Sequence, residues 1–186
     1  PEQNPILKIE DTLREFDMDR IIQRVHSNGL NYKTSVPDVK EKLEFESILL
    51  NDSNELFNVI NAIPKDSVVA FDTETTDVDV VHANIVGFSF SYDESKAYYV
   101  PIAHSYLGVP EQISHEDARL AIEVLNNYKL VLQNYKFDFE IVKRNFDLEL
   151  NLYADTMILA WMIDSSSAVG LDKLSKKFFD HEMIAF

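Results

Sequence analysis

The chain has 186 residues, of which 46% are apolar, enough for one domain of ordinary size with an additional segment. It has no cysteine, which excludes disulfides and thiolate metal sites and leaves oxygen or imidazole ligands for any metal ion. Its 17 basic and 32 acidic residues give a net charge of −15, whereas proteins that grip many phosphates present a basic face. The chain therefore either does not bind nucleic acid, or receives a strand end from a basic neighbour and holds it through divalent ions.

No apolar run is long enough for a membrane span, and no basic segment precedes a short apolar one as in a signal peptide. We therefore expect a cytoplasmic location and no membrane contact.

Residues 1–42 are predicted to form a helical segment and a polar connector. The apolar stripe that predicts the helices consists of Leu13, Phe16, Ile21, Ile22 and Val25. Asn28-Gly29 is a plausible helix stop, and Pro37 lies in the connector. We expect a separate compact domain over residues 43–186.

The first part of this domain is predicted to be rich in strands. In chain order, the pattern indicates an alternating stretch at 45–50, a helix that begins near Asp52 and ends before Pro64, and strands at 67–73, 84–92 and 97–103. Because only a short turn separates the last two strands, we expect the three strands to form a meander.

The second part is predicted to alternate helices with one strand. A capping box at Ser114 opens a helix, residues 130–132 form a parallel strand, and further helices cover 135–146, a segment from Asp155, and 171–178. The helix after Asp155 is apolar nearly all round, which predicts burial. The order of elements predicts an α/β layered domain.

Asp72 and Glu74 follow an apolar run that is typical of a strand in a covered sheet. Since strand side chains alternate, both carboxylates lie on one side, roughly 7 Å apart. Buried like charges are costly without a cation, so the pair is a candidate metal site. The alternative is a capped strand end in contact with solvent. Spacing alone does not decide, because four other acid-x-acid pairs occur, at 17/19, 44/46, 77/79 and 147/149.

Two further acidic residues lie at predicted helix starts. Asp138 is in the first turns of a predicted helix, where a negative charge interacts favourably with the helix dipole. Asp155 is most simply interpreted as the N-cap of the next helix. Taken singly, neither position indicates more than a structural role.

Several motifs together are similar to known exonucleases. Asp72-Thr-Glu74 and Gln133-Asn-Tyr-Lys-Phe-Asp138 resemble the first two motifs of the DEDD-type 3′–5′ exonucleases. With Ala83-Asn-Ile-Val-Gly-Phe-Ser-Phe, Tyr99-Val-Pro-Ile-Ala-His104 and Asp155-Thr-Met, the stretch from about residue 44 onward resembles the proofreading domain of the family A bacterial DNA polymerases. Residues 1–30 are more loosely similar to the segment that follows the 5′-nuclease region.

This resemblance implies a ribonuclease H-like fold, a mixed sheet flanked by helices, and two Mg²⁺ or Mn²⁺ ions that cleave the terminal phosphodiester of a frayed or single-stranded 3′ end of DNA. It implies that Asp72 bridges both ions, that Glu74 helps to hold the first and that Asp138 holds the second. The implied substrate-binding residues are Gln133, Asn134, Phe137 and Val78. The implied partners are the polymerase and 5′-nuclease regions of a longer bacterial chain, and we expect a monomer that serves DNA replication and repair.

One motif of the resembling family does not occur. Its third motif is a tyrosine or histidine followed four residues later by aspartate, and this sequence has no such pair. Three carboxylates leave one charge of two divalent ions uncompensated. We therefore expect a C-terminally incomplete domain with weak or absent activity. The alternatives are a structural or strand-guiding domain that does not edit, and an RNA-trimming relative.

Overall fold

The computed structural model describes residues 10–15, 23 and 45–183. The chain divides into two units, Pro1–Val39 and Lys40–Phe186. In the first unit, the described helix is α1 (Glu10–Glu15), which agrees with the start of the predicted apolar stripe. The rest of the predicted N-terminal helical segment lies outside the described residues, and the boundary at residues 42 and 43 stays a prediction.

The described part of the second unit is a mixed sheet with helices between its strands. Its elements are β1 (Glu46–Leu49), α2 (Ser53–Asn61), β2 (Val68–Thr75), β3 (Ile85–Ser91), β4 (Lys96–Pro101), α3 (His115–Leu125), β5 (Lys129–Leu132), α4 (Tyr135–Phe146), β6 (Leu152–Asp155), α5 (Thr156–Ile163) and α6 (Leu171–Phe179). The strand order is β1-β4-β3-β2-β5-β6. Strands β2, β3 and β4 form the predicted antiparallel meander. β1 is parallel to β4, β5 to β2, and β6 to β5.

The predicted helix starts are confirmed by side-chain caps. Asp52 Oδ1 accepts a hydrogen bond of 2.9 Å from the backbone N–H of Glu55, and Ser114 Oγ accepts one of 3.1 Å from that of Asp117. The Ser53 hydroxyl also donates to Asp117 at 2.7 Å, which joins the first turns of α2 and α3. Asp117 therefore takes part both in the cap of α3 and in the contact between α2 and α3.

The core lies on one face of the sheet. In β2, Val69, Phe71 and Thr73 are buried, whereas Ala70 and Asp72 are exposed. Phe88 lies at the centre of this face, fully buried, with its ring centroid 5.6 Å from that of Phe71. The expectation of a strand in a covered sheet is confirmed for one face of β2 and wrong for the other among the described residues, although β2 does lie in the middle of the sheet. Its apolar run reflects the central position and not full burial.

Two other expectations need correction. Helix α5 is as apolar as the sequence indicates, yet none of its described residues is buried, and Ile163 is 76% exposed. Among the described elements α5 packs mainly against β6, which is too short to cover a helix that is apolar all round. The sequence pattern also missed β6, a short strand at one edge of the sheet in which Leu152 and Tyr153 are exposed and Asp155 is buried. None of the described helices has the length and apolarity needed to cross a membrane.

Phe88→Ala should destabilise the fold by about 3–5 kcal/mol, because it leaves a cavity in the aromatic part of the core. Urea unfolding monitored by circular dichroism measures the change. Phe179→Ala is the matched control, since this phenylalanine is 43% exposed at the end of α6 and should cost far less. Equal losses for the two variants would contradict the central position of Phe88.

Candidate active site

The candidate site forms where strand β2 runs past its neighbour β5. Strand β5 pairs with β2 only at Val68, Val69 and Ala70. Further along β2, the Thr73 backbone N–H donates to Asp138 Oδ1 at 2.9 Å, and the Thr73 hydroxyl donates to the same oxygen at 2.7 Å. Asp138 is only 1% exposed. A helix carboxylate thus takes the place of a strand partner and is fixed beside Asp72.

Asp138 and Glu74 are close enough to Asp72 for their charges to act on its ionisation. Loss of hydration, then the charge of Asp138 and then that of Glu74 raise the pKa of Asp72 to about 7, although part of this side chain still touches solvent. Burial raises the pKa of Asp138 to about 6 against the opposing hydrogen bonds from Thr73, and the charge of Asp155 contributes in the same direction as burial. The structure thus brings together the three predicted acidic residues.

Asp155 has a different environment from the other acids. Its Oδ1 accepts from the N–H groups of Met157 at 2.8 Å and Ile158 at 3.4 Å, which confirms the predicted N-cap of α5. Its carboxylate also accepts from the N–H groups of Asn134 at 3.2 Å and Tyr135 at 2.9 Å, at the start of α4. Asp155 therefore joins two helix starts and holds the helix that carries Asp138. This second role was missed by the sequence interpretation.

The predicted substrate-binding residues Gln133 and Asn134 lie at the end of β5. Gln133 Nε2 donates to the Val169 carbonyl at 2.9 Å, and Gln133 Oε1 accepts from the Thr156 hydroxyl. Asn134 is exposed and adopts a left-handed conformation with φ of 64°, which asparagine tolerates better than most residues. The amide of Gln133 is thus occupied by structural contacts, whereas Asn134 presents its side chain to solvent.

The two predicted apolar wall residues lie in different surroundings. Phe137 is half-buried in the first turn of α4 and packs against the core. Val78 is 89% exposed in the loop between β2 and β3. Roles for either residue in binding a base stay predictions.

The site has a further wall that the acidic motifs did not indicate. Tyr99 in β4 faces the same side of the sheet as Asp72 and Glu74, because the register pairs Asp72 with Ser89 and Ser89 with Tyr99. Burial and the charge of Glu74 raise the pKa of Tyr99 to about 12, with a smaller contribution from Tyr106. The signal in the sequence was the run from Tyr99 to His104, which contributed to the resemblance without a role in the site.

A ready-made ion site is not present in the described part of the chain. No three acidic or histidine side chains there converge closely enough to hold a metal ion by themselves. Glu74 and Asp138 are neighbours of Asp72 whose charges act on it, and an ion bound between the three side chains would need further ligands.

Comparison with known families decides the assignment. The model of the 3′–5′ exonuclease family matches residues 48–185. The chain belongs to this family. The predicted family is thereby confirmed, and the match includes Asp72, Glu74 and Asp138.

Bacterial polymerases contain relatives of this exonuclease domain. DNA polymerase I of Borreliella burgdorferi is 34% identical over 147 residues, which are 78% of this chain and 16% of the polymerase. DNA polymerase I of Pseudomonas aeruginosa is 31% identical over 175 residues, which are 91% of this chain and 19% of the polymerase. The chain thus spans less than a fifth of the polymerases it resembles.

Solved structures of nucleases share the exonuclease fold. The EXO domain of Aedes aegypti Nibbler gives a TM-score of 0.56 at 10% identity, with coverage of 76% of this chain and 73% of that one. Brucella melitensis NrnC with bound Mg²⁺ gives 0.52 at 12% identity, with coverage of 78% and 66%. These likenesses confirm the predicted ribonuclease H-like α/β fold.

The raised pKa values predict how stability depends on pH. Between about pH 4 and pH 7 the folded exonuclease domain binds more protons at Asp72 and Asp138 than the unfolded chain does, so its stability falls as pH rises. We expect Asp72→Asn to reduce this fall in metal-free buffer and to raise Tm at pH 8 by about 2–4 °C, as solvent contact discounts the full shift.

Thermal unfolding at several pH values measures both effects. Asp66→Asn is the matched control, because Asp66 is exposed and has φ of 67°, a conformation that asparagine also adopts. The control should keep the pH dependence of the original chain. If Asp72→Asn kept it as well, the electrostatic account of Asp72 would be wrong.

Asp155→Ala should destabilise the domain by about 2–4 kcal/mol, because four backbone N–H groups at two helix starts lose their shared acceptor. Asp52→Ala removes an N-cap that accepts a single hydrogen bond from Glu55, and should cost about 1 kcal/mol. Urea unfolding of both variants gives the comparison. A loss at Asp155 no larger than that at Asp52 would exclude the role as a joint between α4 and α5.

Proposed function

We propose that this chain is a metal-dependent 3′–5′ exonuclease domain that removes nucleotides from a single-stranded or frayed 3′ end of DNA within a longer polymerase. The observation that supports it most is the position of Asp138, which Thr73 fixes beside Asp72 and Glu74 on the central strand. The family model and the similarity to bacterial DNA polymerase I supply the reaction class.

The acidic side chains fit hard divalent cations. Their ligand atoms are all carboxylate oxygens, the type that Mg²⁺ and Mn²⁺ prefer, and their mutual repulsion at Asp72 would be relieved by a cation. Asp72, Glu74 and Asp138 would hold the ions, with water and phosphate oxygens as the remaining ligands. NrnC, which shares the fold, was solved with Mg²⁺. Divalent ions would supply activation of water and compensation of phosphate charge.

The protein's own residues contribute position and charge. Asp138 keeps one oxygen on Thr73, so that its carboxylate cannot rotate freely. Asp155 holds the first turn of α4, which carries Asp138. Exposed Asn134 and half-buried Phe137 lie near this turn and would contact the strand end. With a net charge of −15, the domain would depend on ions and on the rest of a polymerase for affinity.

The function is tested with a 5′-labelled single-stranded DNA oligonucleotide and Mn²⁺. We expect slow shortening from the 3′ end, and a loss of at least about 100-fold in Asp72→Ala, because removal of a metal ligand removes transition-state stabilisation. Isothermal titration calorimetry should show Mn²⁺ binding that Asp72→Ala and Asp138→Ala weaken and Asp66→Asn leaves intact.

The competing functions predict different results. A domain that guides a strand without cutting it would leave the DNA unshortened and would bind Mn²⁺ no better than Asp72→Ala does. An RNA-trimming relative would shorten an RNA oligonucleotide of the same sequence faster than the DNA. Either result would overturn the proposal.

A further inference from the structure

The open face of the sheet places a tyrosine beside the acidic pair. Asp72, Ser89 and Tyr99 occupy one row across three neighbouring strands, and Glu74, Gly87 and Pro101 occupy the next row on the same face. These rows belong to the meander of β2, β3 and β4, where cross-strand neighbours lie about 5 Å apart. Tyr99 is thus one row from Glu74 and two strands away.

The phenol of Tyr99 reaches across this distance because Gly87 has no side chain. A Cβ atom at Gly87 would lie 2.2 Å from the Tyr99 hydroxyl oxygen and 2.6 Å from Cζ, far inside van der Waals contact. The end of the tyrosine ring therefore occupies the space above Gly87. Gly87 is the direct register partner of Glu74, so the hydroxyl lies next to the Glu74 position.

His104 fixes the tyrosine hydroxyl. Tyr99 Oη and His104 Nε2 are 2.5 Å apart. His104 is itself held on both sides of its backbone, since its N–H donates to Gln112 Oε1 at 2.7 Å and its carbonyl accepts from Gln112 Nε2 at 3.0 Å. A chain of contacts from Gln112 through His104 to Tyr99 thus ends at the acidic site.

We propose that Tyr99 is a positioning residue for Glu74, and that His104 donates from Nε2 to the tyrosine oxygen and so directs the hydroxyl proton toward the Glu74 carboxylate. The inference rests on the proposed metal-dependent function. A hydroxyl has one proton and two lone pairs, so a hydroxyl that accepts from His104 is left with its proton for another acceptor. Of the two carboxylates on that side of the sheet, Glu74 is the one whose register partner is Gly87, over which the Tyr99 hydroxyl lies.

A hydrogen bond to Glu74 would hold its carboxylate in one orientation for ion binding. Orientation of a ligand by a neighbouring hydrogen bond is a general feature of metal sites, and its loss typically weakens metal affinity by about 10-fold or more. The Tyr99 ring would remain over Gly87 without the hydroxyl, so the two contributions of this residue can be separated.

Tyr99→Phe in the full chain tests the role of the hydroxyl. We expect Mn²⁺ affinity, measured by calorimetry, to fall by about 5–10-fold. Tyr92→Phe is the matched control, because its hydroxyl lies 3.3 Å from that of Tyr98 in the same meander, away from Glu74. The control should keep the Mn²⁺ affinity of the original chain. An unchanged affinity in Tyr99→Phe would overturn the inference.

A double-mutant cycle separates this inference from the proposed function. In a Glu74→Gln background, Tyr99→Phe should change Mn²⁺ affinity by less than about 2-fold, because the coupled partner is altered. An equal loss in both backgrounds would overturn the role through Glu74. If the original chain binds Mn²⁺ and Asp72→Ala does not, but Tyr99→Phe has no effect, the inference fails and the proposed function stands. Absence of Mn²⁺ binding in the original chain would overturn both.

The His104 tautomer gives a readout without metal. Nitrogen-15 NMR of the imidazole should show Nε2 protonated in the original chain at pH 8, and Tyr99→Phe should shift the Nε2 resonance. A Nε2 without a proton would overturn the proposed direction of the hydrogen bond.

Discussion

The double hydrogen bond from Thr73 to Asp138 is the constraint on which the site depends. Strand β2 leaves its partner β5 after Ala70, so the buried N–H of Thr73 needs another acceptor. Leaving a buried N–H without an acceptor costs about 1–3 kcal/mol. Asp138 removes this cost because it accepts hydrogen bonds from both the amide and the hydroxyl of Thr73. The same contact fixes the first turn of α4 against the sheet. The contact between Thr73 and Asp138 therefore both satisfies a backbone N–H and positions an acidic side chain beside Asp72.

This arrangement carries an electrostatic cost. Asp72 and Asp138 both have raised pKa values, so ionisation of the folded domain opposes its stability. Asp155, by contrast, accepts hydrogen bonds from four backbone N–H groups. Asp72 and Asp155 thus differ in the groups that surround their carboxylates. Asp155 joins two helix starts, whereas Asp72 carries the electrostatic cost of neighbouring acids, a common compromise between stability and activity.

Much of the fold was predictable because its signals are local. The caps at Asp52 and Ser114, the three strands of the meander and the parallel strand near Leu130 follow from short patterns, and all are present. The wrong expectations concerned burial. The apolar sequence of α5 indicates that it can be buried, but only the neighbouring elements decide whether it is, and those described leave Ile163 exposed. Strand β6 was missed because it is a four-residue edge strand that carries no clear alternation.

The candidate site was only partly predictable, because some of its contacts join residues that are far apart in the sequence. Asp72 and Glu74 are two residues apart, and the family motif added Asp138, so resemblance supplied the long-range contact that spacing could not. No spacing rule relates Glu74 to Tyr99, because their proximity requires two antiparallel pairings and a glycine at the crossing point. Asp72, Glu74 and Tyr99 stand on sheet strands, where backbone hydrogen bonds fix their separation, and Asp138 on α4 is held to the sheet by Thr73. Preorganisation of the site therefore follows from strand register, and a slip of one residue would turn these side chains to the opposite face.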